Sequence, residues 1–149
     1  VSPVPRHTGA VISLDLALRL HDSGVAWTPA NGDRFWVPDR ELDETVFTVS
    51  DMVVEVRDHA GGRVLAFNGT TEWALDAIEE REAVWLPRLD QLLDLLGPQF
   101  MSLTARSGGY VVRVRSGEAG EPEQDHVDVD PDDAAARAVL GLRSGRAGA

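Results

Sequence analysis

Residues 99–115 read Gln-Phe-Met-Ser-Leu-Thr-Ala-Arg-Ser-Gly-Gly-Tyr-Val-Val-Arg-Val-Arg. Arg106-Ser-Gly-Gly109 has the composition of a tight turn, so Gln99 to Ala105 and Tyr110 to Arg115 become the arms of a β-hairpin. In the second arm Val112 and Val114 alternate with Arg113 and Arg115, which buries one face and wets the other. A helix start follows downstream. Asp130 suits the N-cap, Pro131 the first helical position, and Asp132 and Asp133 the anion-favouring first turn. Ala134 to Leu142 completes that helix. An antiparallel hairpin followed by a helix is the signature of an α+β fold.

The rest of the chain agrees. Gly117 to Pro122 reads as a linker, and His126 to Val129 as at best an edge strand. Toward the N-terminus, Thr45 to Val49 alternates with period two, and Met52 to Val56 is rich in β-branched residues. Asp58-His-Ala-Gly-Gly62 is a turn that returns Arg63 to Phe67 as a hairpin partner. Phe35-Trp36-Val37 and Ala83 to Leu86 are short apolar runs stopped by Pro38 and Pro87, the second read as a strand. Helices are expected from Ser13 to Gly24, from a Thr70 or Thr71 cap through Ile78, and from Pro87 to Gly97. The expectation is one α+β domain over residues 11–143, of antiparallel hairpins packed with three to four helices. A sub-division near residue 98 is the alternative. Residues 1–10, with two prolines and no apolar period, read as a flexible arm, and residues 144–149 as a disordered tail.

Composition excludes several chemistries. The 149 residues contain no cysteine and no lysine; all 14 basic residues are arginine. Disulfides, thiolate metal sites, cysteine nucleophiles, Schiff-base lysines and a lysine-bearing phosphate loop are therefore impossible. Two isoleucines and two asparagines beside abundant Ala, Gly, Val, Asp and Arg point to a GC-rich bacterial genome. The net charge of −11 speaks against a nucleic-acid partner, which would need a basic face. Eight of the 25 acidic residues lie between Glu118 and Asp133, a stretch with no arginine, and outside it 17 acidic residues face the 14 arginines. The protein is thus a nearly balanced chain with one acidic segment. No run approaches the roughly 18 apolar residues of a membrane span, and the first apolar stretch carries Asp15 and Arg19, unlike a leader peptide. A cytoplasmic protein without a membrane partner is the expectation.

Few motifs carry chemistry. Asp128-Val-Asp130-Pro-Asp132-Asp133 imitates the opening of a calcium loop, but position six is Asp133 instead of glycine and position twelve is Val139 instead of glutamate. Helix capping explains the same carboxylates without a metal. His7, His21, His59 and His126 show no metal-ligand spacing, and no nucleophile elbow accompanies them. We assign no catalytic, cofactor-binding or metal-ligating residue and no cofactor. Among Trp27, Trp36, Trp73 and Trp85, core packing is the ordinary role, but tryptophan also anchors interfaces. Trp36 and Trp73 are the candidate anchors, with Arg34 and Arg40 flanking Trp36 as candidate anion contacts.

The segments ISLDLALRL at 12–20, GDRFWVPDR at 32–40, VFTVSDMVVEV at 46–56, GRVLAFNGTTEWALD at 62–76 and VWLPRLDQLLDLLG at 84–97 resemble a family of small actinobacterial proteins of unknown function. Some members are labelled pilus assembly proteins, although this chain lacks the lysine-bearing phosphate loop of the pilus-localisation ATPases. The resemblance covers a little over half the chain and starts near Val11. It implies a lineage and no catalytic residue. Two functions from different classes follow. The first is a non-enzymatic protein–protein interaction module with an unknown protein partner, a homodimer being one form. The alternative is a small-molecule-binding protein or hydrolase with a pocket between the two β-rich halves.

Overall fold

The computed structural model describes residues 2–4, 12–38, 46–49, 53–59, 62–68, 77–79, 82–117 and 120–147. They carry ten strands and three α-helices, all strand pairs being antiparallel, and the class is α+β. The chain forms two compact units, one of residues 1–9 and 26–86, the other of residues 10–25 and 87–149. The division thus falls at Leu86/Pro87, upstream of the anticipated position near 98, and the second unit also takes α1 from the N-terminal region.

In the first unit, β1 (Ser2–Val4), β2 (Arg34–Trp36), β3 (Val46–Thr48) and β7 (Val84–Leu86) form a sheet in the order β1-β3-β2-β7. Phe35 pairs with Phe47 on one side and Trp85 on the other, so three aromatic residues stand in line on one face. Arg34 and Trp36 take the opposite face with Val46 and Val84. Strand β1 corrects the reading of residues 1–10 as an arm: Ser2, Pro3 and Val4 pair with Thr48, Phe47 and Val46. Local composition is blind to such a partner more than 40 residues away, and Pro3 is tolerated because β1 is an edge strand. A second sheet holds β4 (Val53–His59), β5 (Gly62–Asn68) and β6 (Ala77–Glu79) in that order. The β4–β5 hairpin is as expected. Ile78, however, lies in β6 opposite Leu65 and is not helical. The rest of the helix anticipated from Thr70 to Leu75 lies outside the described residues.

The second unit packs three helices with a meander of β8 (Phe100–Arg106), β9 (Gly109–Val114) and β10 (Gln124–Asp128), in the order β10-β9-β8. The hairpin expected from residues 99–115 is β8–β9, with an irregularity between Phe100 and Ser102 that shifts the register by one residue. Helix α1 (Leu14–Asp22) starts on Ser13, whose Oγ accepts from the Leu16 N–H at 3.4 Å. It buries Leu14, Leu16, Ala17 and Leu20. Helix α2 (Leu89–Leu96) begins two residues later than anticipated, because Pro87 precedes the N-cap Arg88. Arginine cannot accept a hydrogen bond, so Gln91 reaches back instead: its Oε1 accepts from the Arg88 N–H at 2.9 Å.

Helix α3 (Pro131–Ala147) is the centre of this unit and packs against α1, α2, β9 and β10. Ala134, Ala135, Ala136 and Ala138 are fully enclosed. Such small side chains bring neighbouring backbones close to the helix. Residues 144–147, anticipated as tail, continue the helix, which satisfies their backbone groups locally.

Candidate functional site

The acidic segment lies where β10 meets the start of α3. Strand β10 alternates: Gln124, His126 and Asp128 share the face toward α3, and Asp125 and Val127 share the other. Asp125, Asp128 and Asp133 each take a different partner. Asp125 stands directly across from Arg113 on β9, whose guanidinium grips it with Nε–Oδ1 at 2.8 Å and Nη2–Oδ2 at 3.1 Å. That two-pronged bond holds the Asp125 carboxyl below the ordinary aspartate value. Glu123 lies 3.8 Å from the same guanidinium.

Burial works to raise the Asp128 carboxyl, but the Arg137 hydrogen bond and backbone N–H groups outweigh it and hold the group below its ordinary value. The Arg137 Nε–Oδ2 distance is 2.7 Å, and the Asp130 N–H reaches Oδ1 at 3.4 Å. Asp133 behaves oppositely. It is buried in the first turn of α3, and burial pushes its carboxyl above the ordinary value, aided by the charges on Asp128 and Asp130. Its Oδ1 accepts the backbone N–H of Ser13 at 2.8 Å. Asp133 therefore ties the start of α1 to the start of α3. One oxygen from each of Asp128, Asp130 and Asp133 lies within 4.8 Å of the others. The calcium-loop imitation ends here: residues after Asp130 are helix, and Val139 is a buried core residue. Arg137, the Ser13 N–H and the N-terminus of α3 meet these carboxylates, which therefore read as a structural clasp.

His126 is the residue that sequence reasoning undervalued. Its ring lies where a side chain on Gly141 of α3 would stand: a Cβ built there would be 2.8 Å from Cε1 and 3.2 Å from Nε2. The imidazole Nε2 is shielded from solvent and has no hydrogen-bond partner. Burial lowers the tendency of His126 to protonate, against the weaker pull of Asp125. A signal existed in the sequence, since a glycine inside a helix costs about 0.5–1 kcal/mol relative to alanine and marks a close approach. Only the partner was missing.

This contact makes a sign-reversing prediction. Gly141→Ala is expected to destabilise the protein by about 1 kcal/mol, because the new methyl must displace the imidazole. In a His126→Ala background the same substitution is expected to stabilise by about 0.5–1 kcal/mol, helix propensity alone remaining. Urea unfolding of the four proteins measures both; the same sign in the two backgrounds would remove the contact from the explanation.

The anticipated anchors lie in the first unit. Trp36 is half-buried on β2, and its indole N–H is shielded and unpartnered. Arg34 is half-buried on the same face of the strand. Trp73 and Arg40 lie outside the described residues. The large apolar side chains that are exposed among the described residues are instead Leu95, at 40%, Val127, at 61%, and Val129, at 72%. The first unit also holds an arrangement that residue spacing did not reveal. Trp27 lies over Phe35 and stacks with Trp85, with ring centroids 5.6 and 6.5 Å apart. Its Nε1–H donates to the buried Asp33 carboxylate at 2.9 Å.

No protein-family model, curated protein or solved structure matches the chain.

Proposed function

We propose that this protein is a non-enzymatic protein–protein interaction module that receives an extended segment of another chain along the free edge of β10. The observation that carries this reading is the pair of valines there, Val127 within the strand and Val129 just beyond it, the most exposed large apolar side chains among the described residues. Among those residues β10 pairs with β9 alone, so one row of its backbone donors and acceptors is open to a further strand. Strand addition uses such an edge for affinity and its alternating side chains for selection. Apolar surface on an edge strand is otherwise a liability, because it invites aggregation.

Charge decides between a second copy and a different partner. Glu121, Glu123, Asp125, Asp128 and Asp130 flank or occupy the edge. Two copies meeting edge to edge would set two such rows side by side, which like-charge repulsion disfavours. The partner segment is therefore from another protein, extended, and not itself acidic.

The test is a pull-down from the source organism with the wild-type chain and with the Val127→Ser/Val129→Ser double variant. Both positions are exposed, so the variant is expected to fold with a wild-type circular dichroism spectrum. A protein retained by wild type and reduced at least tenfold on the variant supports the reading, and bound partner should protect the Gln124–Asp128 amides from exchange. Identical retention on both proteins would sink it.

A further inference from the structure

We propose that β10 is an acid-released strand: protonation of His126 unseats it from α3. The geometry is specific. The imidazole fills the gap that Gly141 leaves on α3 with its Cε1 and Nε2 atoms nearest the helix, its Nε2 is enclosed, and no hydrogen-bond acceptor meets that atom. A neutral ring can leave a bare acceptor nitrogen in such a place. An imidazolium must donate from both nitrogens, and an enclosed N–H on a cation without a partner is strongly disfavoured. The ring cannot escape into the helix, so it leaves by carrying the strand outward.

The charged groups around it do not rescue the cation. On β10, Asp125 attracts it, but Asp125 is gripped by Arg113 of β9. Asp128, on the same face two residues along, is held at 2.7 Å by Arg137 of α3. Directly across on β9 stands Val112, with Arg113 next to it and Tyr110 two residues along, opposite Asp128. On α3, Arg137 and Arg143 are cations, and Asp133 is occupied by the Ser13 N–H. Burial thus outweighs Asp125, and the seated ring titrates below the ordinary histidine value.

The sign follows from linkage. A group whose folded value is depressed contributes seating energy in full above its released value, about 6.5, and loses it as pH falls toward the seated value. Opening of β10 should rise tenfold for each pH unit by which the seated histidine titrates below the released one. The rest of the meander has no such group on its seat, so the β8–β9 pairing should keep its protection.

The experiment is a titration of the isotopically labelled full chain from about pH 7.5 to about pH 5, the window in which histidine changes charge. The His126 Cε1–H resonance reports its protonation, and amide exchange, corrected for intrinsic pH dependence, reports opening of Gln124–Asp128. The expected result is a His126 midpoint below about 6.5 with β10 protection falling in step, while β8 and β9 hold. His126→Leu, which fills the seat without titrating, should abolish the pH dependence; His126→Phe is the second variant should leucine fail to fold. A midpoint at or above the ordinary value, β10 protection that ignores the midpoint, or an unchanged pH dependence in the folded variant each overturns the proposal. The inference stands apart from the docking reading. An acid-insensitive strand that still captures a partner would refute this proposal alone, and an acid-released strand that captures nothing would refute only the other.

Discussion

Phe35→Ala is expected to lower the stability of the first unit by about 3–5 kcal/mol, the range for truncating a fully enclosed phenylalanine. Phe35 has no solvent exposure and stands on the central pair of the β1-β3-β2-β7 sheet. Its ring lies 5.4 Å from that of Phe47 and 5.6 Å from that of Trp27, centroid to centroid. Removing it withdraws the surface against which both neighbours pack and leaves a cavity that short three-residue strands are poorly able to close. Leucine should lose less, since it keeps much of the volume. Denaturant unfolding followed by tryptophan fluorescence measures this, because Trp27 and Trp85 sit on the same cluster. A loss below about 1 kcal/mol would mean that Phe35 does not hold that sheet together.

Asp33→Ala is the second large effect, at about 1–3 kcal/mol. Asp33 is only 2% exposed. One carboxylate oxygen accepts from the Trp27 indole N–H at 2.9 Å and from the Ala30 backbone N–H at 3.1 Å. Alanine leaves the half-buried Trp27 indole N–H without its acceptor, an unsatisfied donor costing about 1–3 kcal/mol, while Ala30 is exposed and its N–H can turn to water. The backbone of Asp33 also matters, since its carbonyl accepts from Val49 at 2.8 Å and survives the substitution. The loss should therefore concentrate in the loop from Trp27 to Gly32. Asp33→Asn keeps an oxygen acceptor and should lose less than half as much. The indole N–H resonance of Trp27 supplies the direct readout: rapid solvent exchange in the alanine variant and slow exchange in wild type. Equal exchange in both proteins would refute the assignment.

The elements legible in the sequence were those whose signal is local. A two-glycine turn announced β8–β9, and Pro131 after an aspartate announced α3, because turn and cap chemistry act within four residues. Ser2–Val4 and Ala77–Glu79 were misread for the converse reason. Their strand character comes from distant partners, Val46 to Thr48 for the first and Val64 to Ala66 for the second. The site divides in the same way. The acidity of residues 118–133 was plain, but its disposition was not. Asp125 takes Arg113, Asp128 takes Arg137 and Asp133 takes a backbone group 120 positions earlier. Nothing in spacing distinguishes those three fates. Likewise Trp36 stood out on composition, while the exposed large apolar side chains among the described residues are Leu95, Val127 in β10 and Val129 just beyond it.

The link between Ser13 and Asp133 also bears on how the protein is made. At roughly 5–20 residues per second, a ribosome needs on the order of 6–24 s to travel the 120 positions separating them. Throughout that interval the nascent chain carries α1 with Leu14, Leu16 and Leu20 without α3, the helix against which α1 packs. Residues 1–9 and 26–86 meanwhile make up the other compact unit. A chain cut short before Pro131 would yield a polypeptide whose second unit has lost its central helix.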